Sequence, residues 1–266
     1  MDKQVKVSGE LIYGRRAVSE AIAAGAAIEE LWLQDREAGN LGGSLPRFIS
    51  VFKGQIHYLR RAELDHLTSG ASHQGVVARV RAGVALSVNQ LLERLEGAPP
   101  QPVILLDGVQ DPQNLGAIMR SAEVLGAGGI ILRRRRAAGL TPAAVKASAG
   151  AAFHLRAAET PNLDYAVRLL KEAGYWIYGF DSSGEDTLWD LSLTGRLGFI
   201  FGAEGVGLAA LTRKRCDRLV RIPQRGRIGS LNVSVAVGVV MAEWLRQQKS
   251  GGDKEARNGG SPGEVR

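Results

Sequence analysis

The sequence predicts an α/β fold made of two units, and three observations predict it. Short apolar segments with strand character recur along the chain, and amphipathic helical segments separate them. A proline-rich stretch, GAPPQP at 97–102, interrupts this pattern before the midpoint. Strands that alternate with helices are typical of a parallel sheet covered on both faces. The 266 residues are enough for two such units.

The first unit is predicted at residues 1–84, as a small, self-contained α/β unit. An extended segment at 11–13 leads into a helix with Ala17, Val18 and Ala21 on one face. Strand and helix candidates then alternate to the end of the unit. The expected strands are 28–34, 55–61 and 75–83, and the expected helices are 45–54 and 62–70.

The second unit is predicted at 103–248, after a linker at 85–102 that contains one short amphipathic piece and three prolines. Residues 249–266 are rich in glycine and charge, so they are predicted to be a disordered tail. The expected strands of the second unit are 103–108, 128–133, 175–181, 196–207 and 219–224, and its expected helices are 116–127, 141–152, 163–174 and 231–248.

The composition narrows the functional classes. A formal net charge of +7 favours a polyanionic partner such as nucleic acid. No apolar run approaches the ~20 residues of a transmembrane helix, and the first residues lack the apolar stretch of a secretory signal. We therefore expect a cytoplasmic protein without membrane contact. Cys216 is the single cysteine and the four histidines lack metal-ligand spacing, so no metal site is predicted.

Ligands of doubly wound sheets bind at the carboxyl ends of the strands, which directs attention to three loops. The first loop, at 107–120, follows an apolar strand. Asn114 is predicted as the N-cap of the next helix, and Arg120 follows six residues later, near the same end of the sheet. A capping asparagine and a solvated arginine would be an adequate structural explanation of these two residues taken singly.

The second loop carries Gly202, Glu204, Gly205 and Gly207 directly after an apolar strand. Glycines at such a place let a ligand approach the backbone closely. Their spacing is not that of the dinucleotide fingerprint, and the chain contains no phosphate-binding loop of the G-x-x-x-x-G-K-[ST] type, which argues against NAD or ATP. The alternative is a glycine-rich turn with a solvated glutamate.

The third loop, IPQRGRIGSLNVSVAVGVV at 222–240, changes from a basic, glycine-broken loop into an apolar helix. Ser230 is predicted near the N-cap, and close helix packing explains the valines and alanines. It does not explain why polar residues crowd the helix start. Donors at a helix N-terminus can bind anionic or carbonyl oxygens, which gives Ser230 and Asn232 a ligand-binding role.

Together, NLGAIMR at 114–120, FGAEGVGL at 201–208 and IPQRGRIGSLNVSVA at 222–236 resemble the three motifs of the SpoU, or TrmH-type, family of RNA ribose 2′-O-methyltransferases in the SPOUT class. LIYGRRAVSEAI at 11–22 and SHQGVVARV at 72–80 resemble the small substrate-binding unit of a branch that methylates a guanosine in large-subunit (23S) ribosomal RNA. Gln224 departs from the pattern, because methionine commonly follows Ile-Pro in the third motif.

The resemblance implies a SPOUT domain folded as a deep trefoil knot, S-adenosylmethionine as the cofactor, ribosomal RNA as the partner, and a homodimer formed through the C-terminal unit. It also assigns residues. The implied catalytic residues are Arg120, Asn114, Glu204, Ser230 and Asn232. The implied cofactor-binding residues are Gly202, Ile222 and Leu231. The RNA-binding candidates are Arg133, Arg134, Arg135, Arg136 and Lys146, with Arg15, Arg16 and His73 in the first unit.

Three alternatives remain open at the level of sequence. A transfer-RNA methyltransferase of the same family is the hardest to separate, although the small first unit favours ribosomal RNA. A non-catalytic RNA-binding relative is disfavoured because the residues implied in catalysis are all present. A dinucleotide-dependent oxidoreductase would need the fingerprint that the chain lacks.

Overall fold

A computed structural model describes residues 10–23, 26–35, 45–80, 86–133, 141–203, 205, 207–227 and 229–258. Two separate sheets are present in these residues, one of four strands and one of seven. The strand order is β1-β4-β2-β3 in the first and β7-β6-β5-β10-β8-β11-β9 in the second. The α/β class predicted from the sequence is confirmed.

The first sheet is mixed. Strand β4 runs antiparallel to β1 and β2, whereas β2 and β3 are parallel. Its core contains Ile12, Val18, Leu31 and Val76, all buried. The elements are β1 (Glu10–Tyr13), α1 (Arg15–Ala23), β2 (Ile28–Gln34), α2 (Leu45–Val51), β3 (Gln55–Leu59), α3 (Arg61–Leu67) and β4 (Val76–Val80).

Every strand pairing of the second sheet is parallel, as the alternation of strands and helices predicts. Its elements are α4 (Val88–Leu95), β5 (Val103–Asp107), α5 (Pro112–Val124), β6 (Gly129–Arg133), α6 (Pro142–Ala147), β7 (Ala157–Thr160), α7 (Leu163–Glu172), β8 (Trp176–Phe180), β9 (Asp186–Thr187), β10 (Leu197–Gly202), α8 (Ala210–Arg215), β11 (Arg218–Arg221) and α9 (Val233–Asn258).

Helices cover both faces of the second sheet, which explains why its central strands are apolar throughout. Successive side chains of a strand point to opposite faces. Ile104 and Leu106 of β5 accordingly pack with α5 and α9, whereas Val103 and Leu105 pack with α4 and α7. All four are buried.

Helices α5 and α9 pack in parallel. A Cβ built on Gly238 of α9 would lie 3.9 Å from the Ser121 hydroxyl of α5, and one built on Gly126 would lie 3.8 Å from the Trp244 ring. Because α5 begins just after the carboxyl end of β5, this parallel packing brings the N-terminus of α9 to the same edge of the sheet.

Two boundary predictions are wrong. The segment 85–102 is not a simple linker, because Val88, Leu91 and Leu95 of α4 are buried against the second sheet. Helix α9 ends at Asn258, ten residues beyond the predicted end at 248, so the predicted disordered tail does not begin at 249. Propagating an existing helix costs far less than nucleating one, which lets it continue through this polar sequence.

Strand β7 and helix α8 were not predicted as elements. Strand β7 is only four residues long and α8 only six. Neither has enough residues for a clear hydrophobic period, and the pairing of β7 with β6 and with Leu86 is a tertiary contact.

The first unit contacts the second through α6 and the turn after it. Val145 of α6 is buried in the core of the first unit. The Lys146 ammonium donates a hydrogen bond to the Ser72 carbonyl (3.1 Å) and lies 5.2 Å from the centre of the Tyr13 ring. Since α6 also packs closely on Gly116 of α5, it joins the first unit to the helix that carries Asn114 and Arg120.

Candidate functional site

A cavity of about 470 Å³ lies where β8, β10 and β11 end. Residues from three chain segments, 180–183, 201–207 and 222–236, line it together with Arg213. The last two lie within the second and third loops singled out from the sequence. The lining residues are Phe180, Asp181, Ser182, Ser183, Phe201, Gly202, Ala203, Gly205, Gly207, Arg213, Ile222, Gln224, Gly229, Ser230, Leu231, Val233 and Ala236.

Gly202 has no room for a side chain. A Cβ built there would lie 2.1 Å from the carbonyl carbon of Gly207 and 2.5 Å from the amide nitrogen of Leu208. The chain folds back on itself at this point, and the Gly207 amide donates a hydrogen bond to the Ala203 carbonyl (2.9 Å). The fold-back places backbone from β10 and its loop in the cavity wall.

One side of the cavity wall is apolar. Phe180 and Phe201 stack with ring centres 4.9 Å apart, and Ile222 packs against the same core. Leu231 and Val233 contribute from the start of α9. A cavity of this size, with one apolar side and several polar groups, suits a small organic ligand.

Asp181 organises a polar corner of the cavity, and its side chain is only 8% exposed. Its Oδ1 accepts hydrogen bonds from the Ser183 amide (3.0 Å) and hydroxyl (2.7 Å), and Arg213 lies 3.4 Å away. Burial by itself raises the Asp181 pKa, but the hydrogen bonds from Ser183, the charge of Arg213 and the amide of Leu208 outweigh it. The pKa therefore lies below the ordinary value of 3.8, and the group is a carboxylate at neutral pH.

Replacing Asp181 by asparagine is expected to weaken ligand binding in this cavity roughly tenfold, because charge-assisted hydrogen bonds that join two parts of the wall are lost. In the unchanged protein, affinity should hold through mildly acidic pH and fall only as pH drops through the lowered Asp181 pKa. Calorimetric titration with the cofactor at several pH values measures both effects.

The matched control is Glu96→Gln, which removes one negative charge from an exposed residue after α4, away from the cavity. If the Asp181→Asn protein binds the cofactor as tightly as this control, the hydrogen bonds of Asp181 do not contribute to ligand binding in the cavity.

Asn114 and Asn232 meet although they are 118 residues apart. The Asn232 amide donates a hydrogen bond to the Asn114 side-chain oxygen (2.9 Å). Asn232 also accepts hydrogen bonds from the Ser234 amide (2.9 Å) and hydroxyl (2.6 Å). The two motif helices are thus tied together at their first turns.

The N-cap predicted for α5 is wrong. Asp111, not Asn114, caps α5, because its carboxylate accepts from the amides of Gln113 and Asn114. Asn232 precedes the first residue of α9 and accepts from the Ser234 amide, and Ser230 lies two residues earlier, near the helix start as predicted. A proline that follows directly, as Pro112 follows Asp111, favours a helix start and was the available sequence signal.

The predicted site residues fall into two groups. Gly202, Ile222, Ser230 and Leu231 all line the cavity. Arg120 is exposed on α5 and is not among the lining residues. Glu204 lies outside the described residues, so the predicted pairing of its carboxylate with Arg120 stays a prediction.

Sequence reasoning missed Asp181, Arg213 and Asp107. Asp107 ends β5 and is buried, and it accepts hydrogen bonds from the Ala209 amide (3.2 Å) and the Thr212 hydroxyl (2.7 Å). Its Oδ1 lies 3.6 Å from the Arg133 guanidinium. A single carboxylate at the end of an apolar strand was the only sequence signal for Asp107 and Asp181.

The structure disagrees with the prediction that His73 contacts RNA. It is buried, with one ring nitrogen 3.0 Å from Asp65 and the other accepting from the Gly75 amide, so its ring holds a turn and is not available to RNA. Arg16 is exposed, and Arg15 hydrogen-bonds the Gln74 carbonyl (3.1 Å). Arg134, Arg135 and Arg136 lie outside the described residues.

A parallel sheet with a cavity where its strands end, walled by glycine-loop backbone and apolar side chains, defines an α/β enzyme that binds an organic cofactor or substrate. Within that class, the chain belongs to the SpoU rRNA Methylase family, whose model matches residues 101–242. A second model, described as RNA 2′-O ribose methyltransferase substrate binding, matches residues 11–83.

Individual relatives agree. The chain is 38% identical to the 23S rRNA (guanosine-2′-O-)-methyltransferase RlmB of Escherichia coli K12, over 90% of this chain and 99% of that one. It is 36% identical to the putative TrmH family tRNA/rRNA methyltransferase YacO of Bacillus subtilis, over 92% and 98%. The crystal structure of the SpoU methyltransferase AviRb from Streptomyces viridochromogenes with the cofactor AdoMet has a TM-score of 0.79, with 27% identity over 91% of each chain.

None of the described helices combines the length and the apolar character needed to cross a bilayer.

Proposed function

We propose that this protein transfers the methyl group of S-adenosylmethionine to the ribose 2′-hydroxyl of a guanosine in 23S ribosomal RNA. The observation that carries the proposal is the cavity walled by the second and third family motifs, with the first motif joined to the third by the Asn114–Asn232 hydrogen bond. The named activity of the RlmB relatives supports the substrate. A ribosomal RNA substrate would place the protein in the cytoplasm.

The cavity suits S-adenosylmethionine, which is about the size of the small ligands such cavities hold. We propose that backbone groups of Gly202, Ile222 and Leu231 hold it, with the Ile222 and Leu231 side chains as apolar walls. Once bound, the cofactor supplies a methyl group on a positively charged sulfur. The AdoMet complex of AviRb supports this assignment.

The chain's own task is to hold the ribose hydroxyl in line and to stabilise the charge that develops on its oxygen. We propose that Arg120 engages the target phosphate and ribose. An arginine stays positively charged in proteins, so its guanidinium stabilises negative charge and does not accept a proton. Asn114, Ser230 and Asn232 would orient the nucleotide by hydrogen bonds, and Glu204 would orient Arg120.

RNA beyond the target nucleotide would contact the first unit and the basic residues near α6. We propose two domains, one around each sheet, with α4 and α9 in the second; the two sheets, the burial of α4 and the two matched family ranges support this division. The proposed RNA contacts are Arg15, Arg16, Arg133 and Lys146, together with the run Arg134, Arg135 and Arg136.

We further propose that the protein is a homodimer through the second unit. Val124 of α5 and Val235 of α9 are 69% and 50% exposed, which leaves apolar surface on the two helices beside the site. The trefoil knot implied by the resemblance would thread the chain around the cavity, and the lining of the cavity by residues from 180–183, 201–207 and 222–236 supports this.

The test is transfer of tritiated methyl from S-adenosylmethionine to unmodified 23S ribosomal RNA and, in parallel, to transfer RNA, with the modified nucleotide mapped. A 2′-O-methylguanosine in 23S RNA is the expected product. Methyl label found only on transfer RNA would indicate that this protein is a transfer-RNA methyltransferase of the same family. Cofactor binding without any label on free RNA or on ribosomal particles would indicate a non-catalytic RNA-binding relative.

A further inference from the structure

Four arginines line the cavity or lie within two residues of a lining residue in the chain, and their contacts separate them into two pairs. Arg213 is held by Asp181 and Ser183. Arg221 donates hydrogen bonds to the carbonyls of Gly184 (2.8 Å) and Glu185 (2.6 Å). Both guanidinium groups therefore have internal acceptors and serve the protein's own loops.

Arg225 and Arg227 form the second pair, and they differ. Both are exposed, and within the described part of the chain neither guanidinium has a hydrogen-bond or ion-pair partner. They belong to the segment 222–231, whose members Gln224 and Gly229 line the cavity. Two positive charges thus lie within two residues of lining residues, and no carboxylate among the described residues pairs with them.

The loop that carries Arg225 and Arg227 has open space beside two of its glycines. A Cβ built on Gly226 or Gly229 would meet no heavy atom within 4 Å. This open space on both sides of Arg227 leaves room for a ligand to reach the two guanidinium groups.

We infer that Arg225 and Arg227 bind two backbone phosphates of the RNA strand that flank the target nucleotide. The inference rests on the proposed function, because a ribose held at the cavity must bring its neighbouring phosphates across the cavity rim. Guanidinium groups remain charged at all relevant pH values and pair with phosphate oxygens in a bidentate manner. Each contact releases counterions, so it leaves a measurable trace in the salt dependence of binding.

The experiment measures RNA affinity as a function of salt for the full chain and for the double variant R225A/R227A. The probe is an unmodified 23S ribosomal RNA transcript, with S-adenosylhomocysteine present to prevent turnover. The plot of log affinity against log salt is expected to lose about 1.4 units of slope, which is ~0.7 for each single-strand phosphate contact. S-adenosylhomocysteine binding, measured separately, should remain unchanged and serves as the check that the loop still folds.

The control R94A/R168A removes the same charge from α4 and α7, which cover the sheet without lining the cavity. It should keep the wild-type slope, and R225K/R227K should keep most of it. A slope for R225A/R227A equal to that of the control, in a protein whose wild type methylates the transcript, would overturn the inference alone. A wild type that neither binds nor methylates the transcript would overturn the proposed function and the inference with it. Equal slopes together with capture of an acidic protein at the loop would assign the loop to a protein partner.

Discussion

Arg120→Ala should reduce methyl transfer to ribosomal RNA about 10²–10³-fold, the usual effect of removing one donor that stabilises charge in a transition state. The Arg120 side chain is exposed on α5 and does not line the cavity, so S-adenosylmethionine binding should be unaffected. Single-turnover rates and calorimetric cofactor titration measure the two effects separately.

Arg120→Lys separates charge from geometry. A lysine keeps the charge but loses the planar fork of donors, so this variant should recover only part of the rate. Arg168→Ala on α7 controls for the loss of a surface charge. Methyl transfer by Arg120→Ala within a few-fold of this control would show that Arg120 is a surface residue, which is the alternative that the sequence left open.

Gly202→Ala should weaken cofactor binding more than any other one-carbon change in the described cavity wall. The added carbon would lie 2.1 Å from the carbonyl carbon of Gly207 and 2.2 Å from its oxygen, and both atoms are backbone. The fold-back must open to admit it. Forced overpacking costs roughly 1–3 kcal/mol, so cofactor affinity should fall between about fivefold and 150-fold if the cost appears entirely in binding.

Gly226→Ala is the matched control, because it makes the same chemical change in another loop of the cavity wall, where a Cβ meets no atom within 4 Å. It should bind cofactor like the wild type. Thermal unfolding of both variants distinguishes a local change from a general loss of stability. Normal cofactor affinity in Gly202→Ala would mean that this fold-back does not form the binding site.

The sequence by itself determined the α/β class, the alternation of strands and helices on both sides of the proline-rich stretch, and the glycine-rich turn after β10. The resemblance of the three motifs, and not a local pattern, assigned Gly202, Ile222 and Leu231, which line the cavity. The first three features are local. A strand's apolar run, a helix's period and a glycine-rich turn after a strand are each set by neighbours in the chain, so they can be read from a short window. The order of the three motifs along the chain can also be read from the sequence alone, and the family resemblance depends on it.

The tertiary structure decided which residues act together. Strand β10 pairs with β5 on one side and β8 on the other, and this order places the Asp181 turn beside the glycine loop. The Asn114–Asn232 contact likewise depends on the parallel packing of α5 and α9.

Burial also changed individual assignments. His73 is a residue type that commonly contacts RNA, yet its ring is buried and both ring nitrogens are hydrogen-bonded within the protein. The amphipathic piece in the supposed linker packs into the second core as α4. A short stretch of sequence shows which chemistry a residue is capable of. It does not show which residues that side chain contacts, because those residues lie far away in the sequence. They come together only when the sheet and its covering helices fold.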